Sequence, residues 1–348
     1  MPGFETGRAS LLGQLDEELG GGPRSWTDLI VVRNVGPVLS ARPLSGDGVS
    51  TRGFNAILLS PRGTPSHYLK VRSAGNEAFL REATVHTALG RHPDARSMVT
   101  RARTFLHGPM RILASEFLHG DRMDVVLAKG KGKGVWSETV GKVIAASQPF
   151  WGALGQVLEK SGEIPAGSAT LGEATREFAT LRESGLSDGT VRTLSDRLRE
   201  VWLPPVPQHG DFWPRNLFRV GEGWRILDFE TCGSVDLPLF DIFHLIRGSV
   251  YAAGGGGAGT WLESWAAVGR EADALRESVK PHADGLDQDQ IEAALVGYLT
   301  LFSARLIRRG NPRNRTAPWI WELERLPEIL GKPLVSQAVR GLSAQGPL

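Results

Sequence analysis

Gln208-His209-Gly210-Asp211-Phe212-Trp213-Pro214-Arg215-Asn216 runs into Leu217-Phe218-Arg219-Val220, turns at Gly221-Glu222-Gly223, and returns through Trp224-Arg225-Ile226-Leu227 to Asp228-Phe229-Glu230. Two short apolar runs around a glycine turn read as a hairpin. A hairpin folds its ends together, so Asn216 is expected near Asp228. Asp211 stands five residues before Asn216, across a loop too short to carry it far. Three oxygen-bearing side chains at one end of a hairpin suit phosphoryl transfer. One carboxylate accepts a hydroxyl proton, while an amide and a carboxylate hold Mg²⁺ against the phosphates.

His209-Gly210-Asp211 with Asn216, followed by Ile226-Leu227-Asp228-Phe229-Glu230, resembles the catalytic core of the aminoglycoside phosphotransferase and choline kinase family, small-molecule relatives of the protein kinases. The Asp-x₄-Asn spacing is that of the kinase catalytic loop. A lone HGD would be one of many surface turns; two metal-ligand candidates around one hairpin make the pattern specific. The resemblance implies Asp211 as the catalytic carboxylate and Asn216 and Asp228 as the metal ligands. It covers roughly Arg24 to Val250, and its decisive motifs lie between 208 and 241. Arg215 departs from it, because the family commonly has a small residue just before the asparagine.

Composition sets the frame. At 348 residues the chain suits two lobes. It is 41% hydrophobic and 22% charged with a formal net charge of +2, so no polybasic excess points to nucleic acid. A single cysteine, Cys232, excludes an intrachain disulfide and a multi-cysteine metal site, and fits a reducing compartment. The start, MPGFETGRAS, lacks the pattern of a signal peptide. No uninterrupted apolar run reaches the roughly 18 residues of a membrane span. The expectation is a cytoplasmic protein with neither a membrane nor a nucleic-acid partner.

Residues 1–23 form an N-terminal tail with one amphipathic segment (Leu11, Leu12, Leu15, Leu19), helix or loose tail alike. Val38–Leu44, Phe54–Leu59 and His67–Arg72 read as strands of an antiparallel sheet, and Glu77–Leu89 as a helix with Phe79, Val85 and Leu89 at helical intervals. By the resemblance, residues 24–121 form the nucleotide-binding lobe and hinge. Lys70 then holds the α- and β-phosphates and Glu82 orients it, with Glu77 the competing carboxylate. The Ser45–Gly53 segment occupies the place of a phosphate-covering loop. Arg111–Gly120 resembles the strand and hinge that join the lobes, and Glu116, Phe117 and Leu118 would supply backbone contacts to adenine.

Residues 122–348 form the catalytic and acceptor-binding lobe, with helices at Val143–Leu158, Leu171–Arg182, Val191–Val201, Ile242–Val250, about Thr260–Leu275 and Gln290–Arg308. From Arg122 onward 26 Lys/Arg stand against 27 Asp/Glu, which gives no support for a concentrated acidic lining suited to polycationic aminoglycosides. Lys129, Lys131 and Lys133 form a basic loop, solvated or able to draw in an anionic substrate. By the same resemblance, the later aspartate of Asp236-Leu-Pro-Leu-Phe-Asp241 would brace the catalytic loop; Trp319 and Trp321 are expected to pack the last helices onto the lobe.

The sequence therefore implies an α+β, bilobal protein-kinase-like fold: a small antiparallel-sheet lobe with one key helix, and a larger, mainly helical lobe. It implies ATP and Mg²⁺ and transfer of a γ-phosphoryl group to a hydroxyl of a small molecule. Two rivals remain. One is a catalytically silent nucleotide-binding scaffold, which would tend to lose the aspartates or the lysine. The other is a protein kinase, disfavoured by Asp-Phe-Glu in place of Asp-Phe-Gly and by the lack of an Ala-Pro-Glu segment.

Overall fold

The computed structural model describes residues 2–19, 28–35, 38–41, 54–130, 135–160, 169–254, 273–308 and 313–330. The Ser45–Gly53 segment, Lys131 and Lys133, and most of the helix expected at Thr260–Leu275 lie outside the described residues. The chain divides into two compact units. The first comprises residues 1–120 with a short return, 225–230; the second comprises 121–224 and 231–348.

The first unit is built on a six-stranded sheet of order β2-β1-β3-β4-β6-β5. Its strands are β1 (Asp28–Val35), β2 (Val38–Ala41), β3 (Phe54–Leu59), β4 (Pro65–Ser73), β5 (Ala102–His107) and β6 (Met110–Glu116). Every neighbouring pair is antiparallel. β1 and β5 were not anticipated from the sequence. Helix α1 (Pro2–Leu19) is no tail: Leu11 and Leu15 pack with Ala56, Leu58, Leu69, Val71, Phe105, Ile112 and Ala114.

Side chains alternate between the faces of a strand. Burying Leu69 and Val71 under α1 therefore turns Lys70 to the opposite face. That face carries α2 (Glu77–Arg91), which starts at an Asn76 cap accepting the Phe79 N–H at 3.0 Å and packs Phe79 and Ala83 against Leu113. The cap leaves one fewer unsatisfied N–H at the helix start. The 225–230 return joins this unit through Ile226, whose N–H donates to the Met98 carbonyl at 2.7 Å. Phe229, 1% exposed, sets its ring 4.5 Å from that of His86 on α2.

The second unit is mostly helical: α3 (Met123–Lys129), α4 (Val135–Lys160), α5 (Ala169–Glu183), α6 (Asp188–Arg199), α7 (Phe240–Ala252), α8 (Asp273–Ala283), α9 (Gln288–Arg308) and α10 (Arg313–Ile329). β7 (Asp121–Arg122) pairs antiparallel with β8 (Leu217–Val220), and β9 (Gly223–Ile226) follows in the order β7-β8-β9. α6 ends at Arg199, two residues before its expected end, with a Ser187 cap at its start.

All residues of α7 from Phe240 to Val250 are buried. α9 is long and apolar enough to cross a membrane, but 72% of that window is buried inside the protein, as in a core helix. Trp321 does not pack the last helix as expected: it is 43% exposed, with the Arg325 guanidinium over its ring, while Glu322, Leu323 and Leu326 face inward. The side chain of Trp319 lies outside the described residues.

Candidate active site

In the first unit Lys70 sits between two carboxylates. Its Nζ donates to Glu82 Oε1 at 2.5 Å and to Asp228 Oδ1 at 2.8 Å. Glu82 is 4% exposed and on the inward face of α2, whereas Glu77 lies in the first turn and is exposed. The geometry thus selects Glu82 over Glu77 as the neighbour of Lys70. Burial alone would lower the Lys70 pKa, but Asp228 and Glu82 outweigh it and raise the value, so the ammonium stays charged. Burial pushes Glu82 the other way, upward, against the pull of Lys70.

Asp228 has φ +64°, in the left-handed region that non-glycine residues seldom adopt, and its side chain is 41% exposed. Backbone strain of this kind, of order 1–3 kcal/mol, persists where surrounding contacts hold it. Here the Lys70 pair and the burial of Phe229 next in sequence do so.

At the end of β6, the Glu116 N–H donates to the Arg101 carbonyl at 3.1 Å and the Phe117 N–H to that of Ser66 at 2.8 Å. Both donors are spent within the unit. Of the three residues expected to offer backbone contacts to adenine, Leu118 is the one whose N–H makes no intramolecular hydrogen bond among the described residues.

In the second unit the loop before β8 is held from below by α7. Asp241, fully buried, accepts the His209 N–H at 2.6 Å and the Trp151 indole N–H at 2.9 Å on Oδ2, and the Gly210 N–H at 2.9 Å on Oδ1. The Asp241 N–H in turn donates to Gln208 Oε1 at 3.0 Å. This is the bracing expected of Asp241. Gly210 has φ +81°, and a Cβ there would lie 2.8 Å from the Thr231 carbonyl oxygen, so the loop requires glycine on both counts.

Asp211 follows with its side chain 47% exposed. Asn216 Nδ2 donates to Asp211 Oδ2 and to its carbonyl, each at 2.9 Å. Nδ2 is thereby used, and the Asn216 Oδ1 is the atom left for a cation. His244, from α7, lies with Nε2 3.2 Å from Asp211 Oδ1. Burial pushes the Asp211 carboxyl up, but the hydrogen bonds it accepts from His244 and Asn216 more than offset it. The pKa is lowered and the group is ionised at neutral pH. Arg215 is 70% exposed, 3.7 Å from Asp124, which also pairs with Arg122 at 2.9 Å. Lys129 lies 3.5 Å from Asp121.

The structure therefore brings together Asp211 with Asn216, and Lys70 with Glu82 and Asp228. Asn216 and Asp228 belong to different units. Two residues that shape the loop escaped the sequence reading. His244 stood in an apolar run, FDIFHLI, where a polar ring that must be buried needs a partner. Gly248 lies within an apolar helix, where glycine signals close approach. A Cβ at 248 would sit 2.5 Å from Pro214 Cδ and 2.8 Å from the Trp213 ring.

Residues 158–282, which span the loop, the hairpin and α7, match the model of the phosphotransferase enzyme family, APH. No curated protein sequence matches the chain. Among solved structures, a Ralstonia eutropha JMP134 protein, provisionally assigned as an aminoglycoside phosphotransferase, shares 13% identity over 95% of this chain and 98% of its own, with a TM-score of 0.55. APH(2″)-IIIa with GDP and kanamycin shares 11% identity over 92% and 97%, at 0.51. A mutant aminoglycoside 2′-phosphotransferase-IIIa with GDP shares 10% over 95% and 99%, at 0.50. The matched segment and the fold of the whole chain bear out the resemblance read from the sequence: residues 158–282 are similar to the phosphotransferase enzyme family, and the chain has the protein-kinase-like fold of the aminoglycoside phosphotransferases of known structure.

Proposed function

We propose that the protein transfers the γ-phosphoryl group of ATP, taken as its Mg²⁺ complex, to a hydroxyl group of a small molecule. The observation that carries this reading is Asp211: an ionised, half-exposed carboxylate on a loop fixed by Asp241, hydrogen-bonded to the side-chain amide of Asn216 five residues on. Asp211 orients the acceptor hydroxyl and takes its proton as the phosphoryl group arrives. Because its pKa is lowered, it is a weak base. Its share of the rate is the modest one of general-base catalysis, about 10²–10⁴-fold, and positioning supplies most of the rest.

Lys70, kept protonated and steadied by Glu82, would bind the phosphates. The metal assignment rests on donor chemistry. Asn216 Oδ1 and the Asp228 carboxylate are hard oxygen donors, which suit Mg²⁺. Among the described residues no three His, Cys, Asp or Glu side chains form a metal cage. Mg²⁺ needs none when substrate phosphates and water fill its remaining positions. Bound there, it would neutralise charge on the phosphates. Two relatives in fold were solved with GDP, so GTP is the comparison nucleotide. Leu118 would offer its amide to the purine.

The acceptor is tested by a screen of hydroxylated compounds with ATP labelled in the γ-phosphate. Label is expected on one compound class, with Mg²⁺ required. Nucleotide binding without transfer to any hydroxyl compound or to water would favour the silent scaffold. The metal dependence has its own readout. At about 100 times its dissociation constant, Mg·ATP should stabilise the protein by roughly 2.7 kcal/mol, and ATP without a divalent cation by much less. Equal stabilisation in both cases, unchanged in Asp228→Ala, would remove Asp228 from the metal site.

A further inference from the structure

His244 has no role in the chemistry assigned above. It lies on α7, three residues beyond Asp241, and is 5% exposed. Its Nε2 faces Asp211 Oδ1 and its Nδ1 the Tyr298 hydroxyl, both at 3.2 Å. The rings of Trp213, Phe302, Tyr298 and Phe240 surround it, with centroids 4.6, 5.3, 5.9 and 6.0 Å away. An imidazole in an aromatic box with both nitrogens engaged has little freedom to rotate.

Chemistry sets the direction of each bond. A carboxylate only accepts, so Nε2 carries the proton. In a neutral ring Nδ1 is then the acceptor, and the phenol of Tyr298 donates. Burial lowers the His244 pKa in spite of Asp211, and burial raises that of Tyr298, so both groups hold their neutral forms near pH 7. The chain of bonds therefore has one proton arrangement, Tyr298 O–H to Nδ1 and Nε2–H to Asp211. Asn216 approaches the other carboxylate oxygen, Oδ2, at 2.9 Å. One donor on each oxygen fixes the carboxylate plane and leaves each oxygen a further lone pair for substrate.

We propose that His244 is a positioning residue: through its Nε2–H it holds the Asp211 carboxylate in the orientation that meets the acceptor hydroxyl. The proposal rests on the reading of Asp211 as the acceptor-facing carboxylate. It makes Tyr298 the second link, because the phenol fixes the tautomer on which the contact depends. A side chain that acts this way changes turnover, and leaves the nucleotide's affinity alone.

Two variants of the full chain test it, with transfer of the γ-phosphoryl group of ATP to water as the assay where the acceptor is not yet in hand. His244→Phe keeps a ring and removes the donor. His244→Gln keeps an amide N–H near the place of Nε2. The expected result is a kcat about 10- to 100-fold lower in His244→Phe with KM for Mg·ATP within about twofold, and recovery of most of that loss in His244→Gln. Imidazole ¹⁵N spectra of the wild-type chain supply a readout independent of turnover. The His244 signal, assigned by its loss in His244→Gln, should report the Nε2–H tautomer at pH 7 and should shift in Asp211→Ala. Equal damage in both variants, an Nδ1–H tautomer, or a signal indifferent to Asp211→Ala would each overturn the proposal. An inactive wild-type chain would sink the phosphotransferase reading instead, and the imidazole signal would still decide the contact.

Discussion

Asp241 and Gly210 are joined by one hydrogen bond of 2.9 Å, and beside it the same carboxylate takes the His209 N–H at 2.6 Å. Two adjacent backbone amides thus converge on a single buried side chain 32 and 31 residues downstream. The Trp151 indole, on α4, completes the set at 2.9 Å. Asp241→Ala would leave three buried donors without this acceptor, and each such loss costs about 1–3 kcal/mol. The expected outcome is a loss of several kcal/mol in chemical denaturation, with turnover at low temperature reduced in the fraction that stays folded. A stability within about 0.5 kcal/mol of wild type would show that the bracing is dispensable.

Gly248 allows α7 to lie against Trp213 and Pro214, the residues that carry the chain from Asp211 to Asn216. A Cβ 2.5 Å from Pro214 Cδ forces the loop or the helix to move. Gly248→Ala should cost about 1–3 kcal/mol by overpacking and should lower turnover as well, because the displaced segment positions Asp211. Gly152→Ala on α4 is the control. Nothing lies within 4 Å of a Cβ there, and helix propensity alone should leave stability unchanged or raise it by up to about 1 kcal/mol. Equal effects of the two substitutions on melting would contradict the packing argument.

His282 gives the protein a specific sensitivity to acid. Its ring packs edge-on to Trp151 at 4.7 Å, Nε2 has no hydrogen-bond partner among the described residues, and burial lowers its pKa to about 4. The unfolded chain binds this proton near pH 6.5 and the folded chain only near pH 4. Stability is therefore full above about pH 6.5 and falls as the pH drops from there toward 4, by at most about 3 kcal/mol. Denaturation of wild type and His282→Phe between pH 7 and 5 checks it. The variant should lose less stability over that range, and parallel curves would refute the assignment.

Lys70 and Glu82 should not be equivalent under substitution. Lys70→Met removes the cation and leaves two carboxylates facing each other. Glu82→Gln leaves Lys70 charged and paired with Asp228. Turnover should fall severely in the first, by about 10²-fold or more, and less in the second. Glu77→Gln, at an exposed position, should behave as wild type. An impaired Glu77→Gln beside an unaffected Glu82→Gln would reverse the pairing.

The site was legible to the extent that it is local. Asp211 and Asn216 meet because five residues cannot carry them apart. Leu69 and Val71 announce that Lys70 faces the other side of its strand. The helix from Glu77 followed from its apolar spacing, whereas the choice of Glu82 as the partner of Lys70 came from the family resemblance. What the sequence concealed depends on distance along the chain. Leu11 and Leu15 have the same spacing in a loose amphipathic tail as in a helix that closes the core over Leu58 and Leu69. β1 and β5 are exceptions: each turns directly into the next strand, with Val35 opposite Val38 and His107 opposite Met110, and β1 carries the apolar run Leu29-Ile30-Val31-Val32, so both were locally legible and went unanticipated. Trp321, read as packing because of its size, stays partly in solvent under Arg325, since the inward face of its helix is taken by Glu322, Leu323 and Leu326. His244 reaches Asp211 across 33 residues, through a helix packing that no local pattern encodes.

The central claim is that Asp211 performs chemistry and does not bind the nucleotide. Asp211→Asn keeps the shape and one acceptor oxygen but removes the basic carboxylate. Measured side by side on this variant, the affinity for Mg·ATP and the rate of phosphoryl transfer should part company. Affinity should stay within a few-fold of wild type while the rate falls by about 10²-fold or more. Equal losses in both would make Asp211 a metal ligand or a fold-bracing residue, and full turnover would place the chemistry outside this loop.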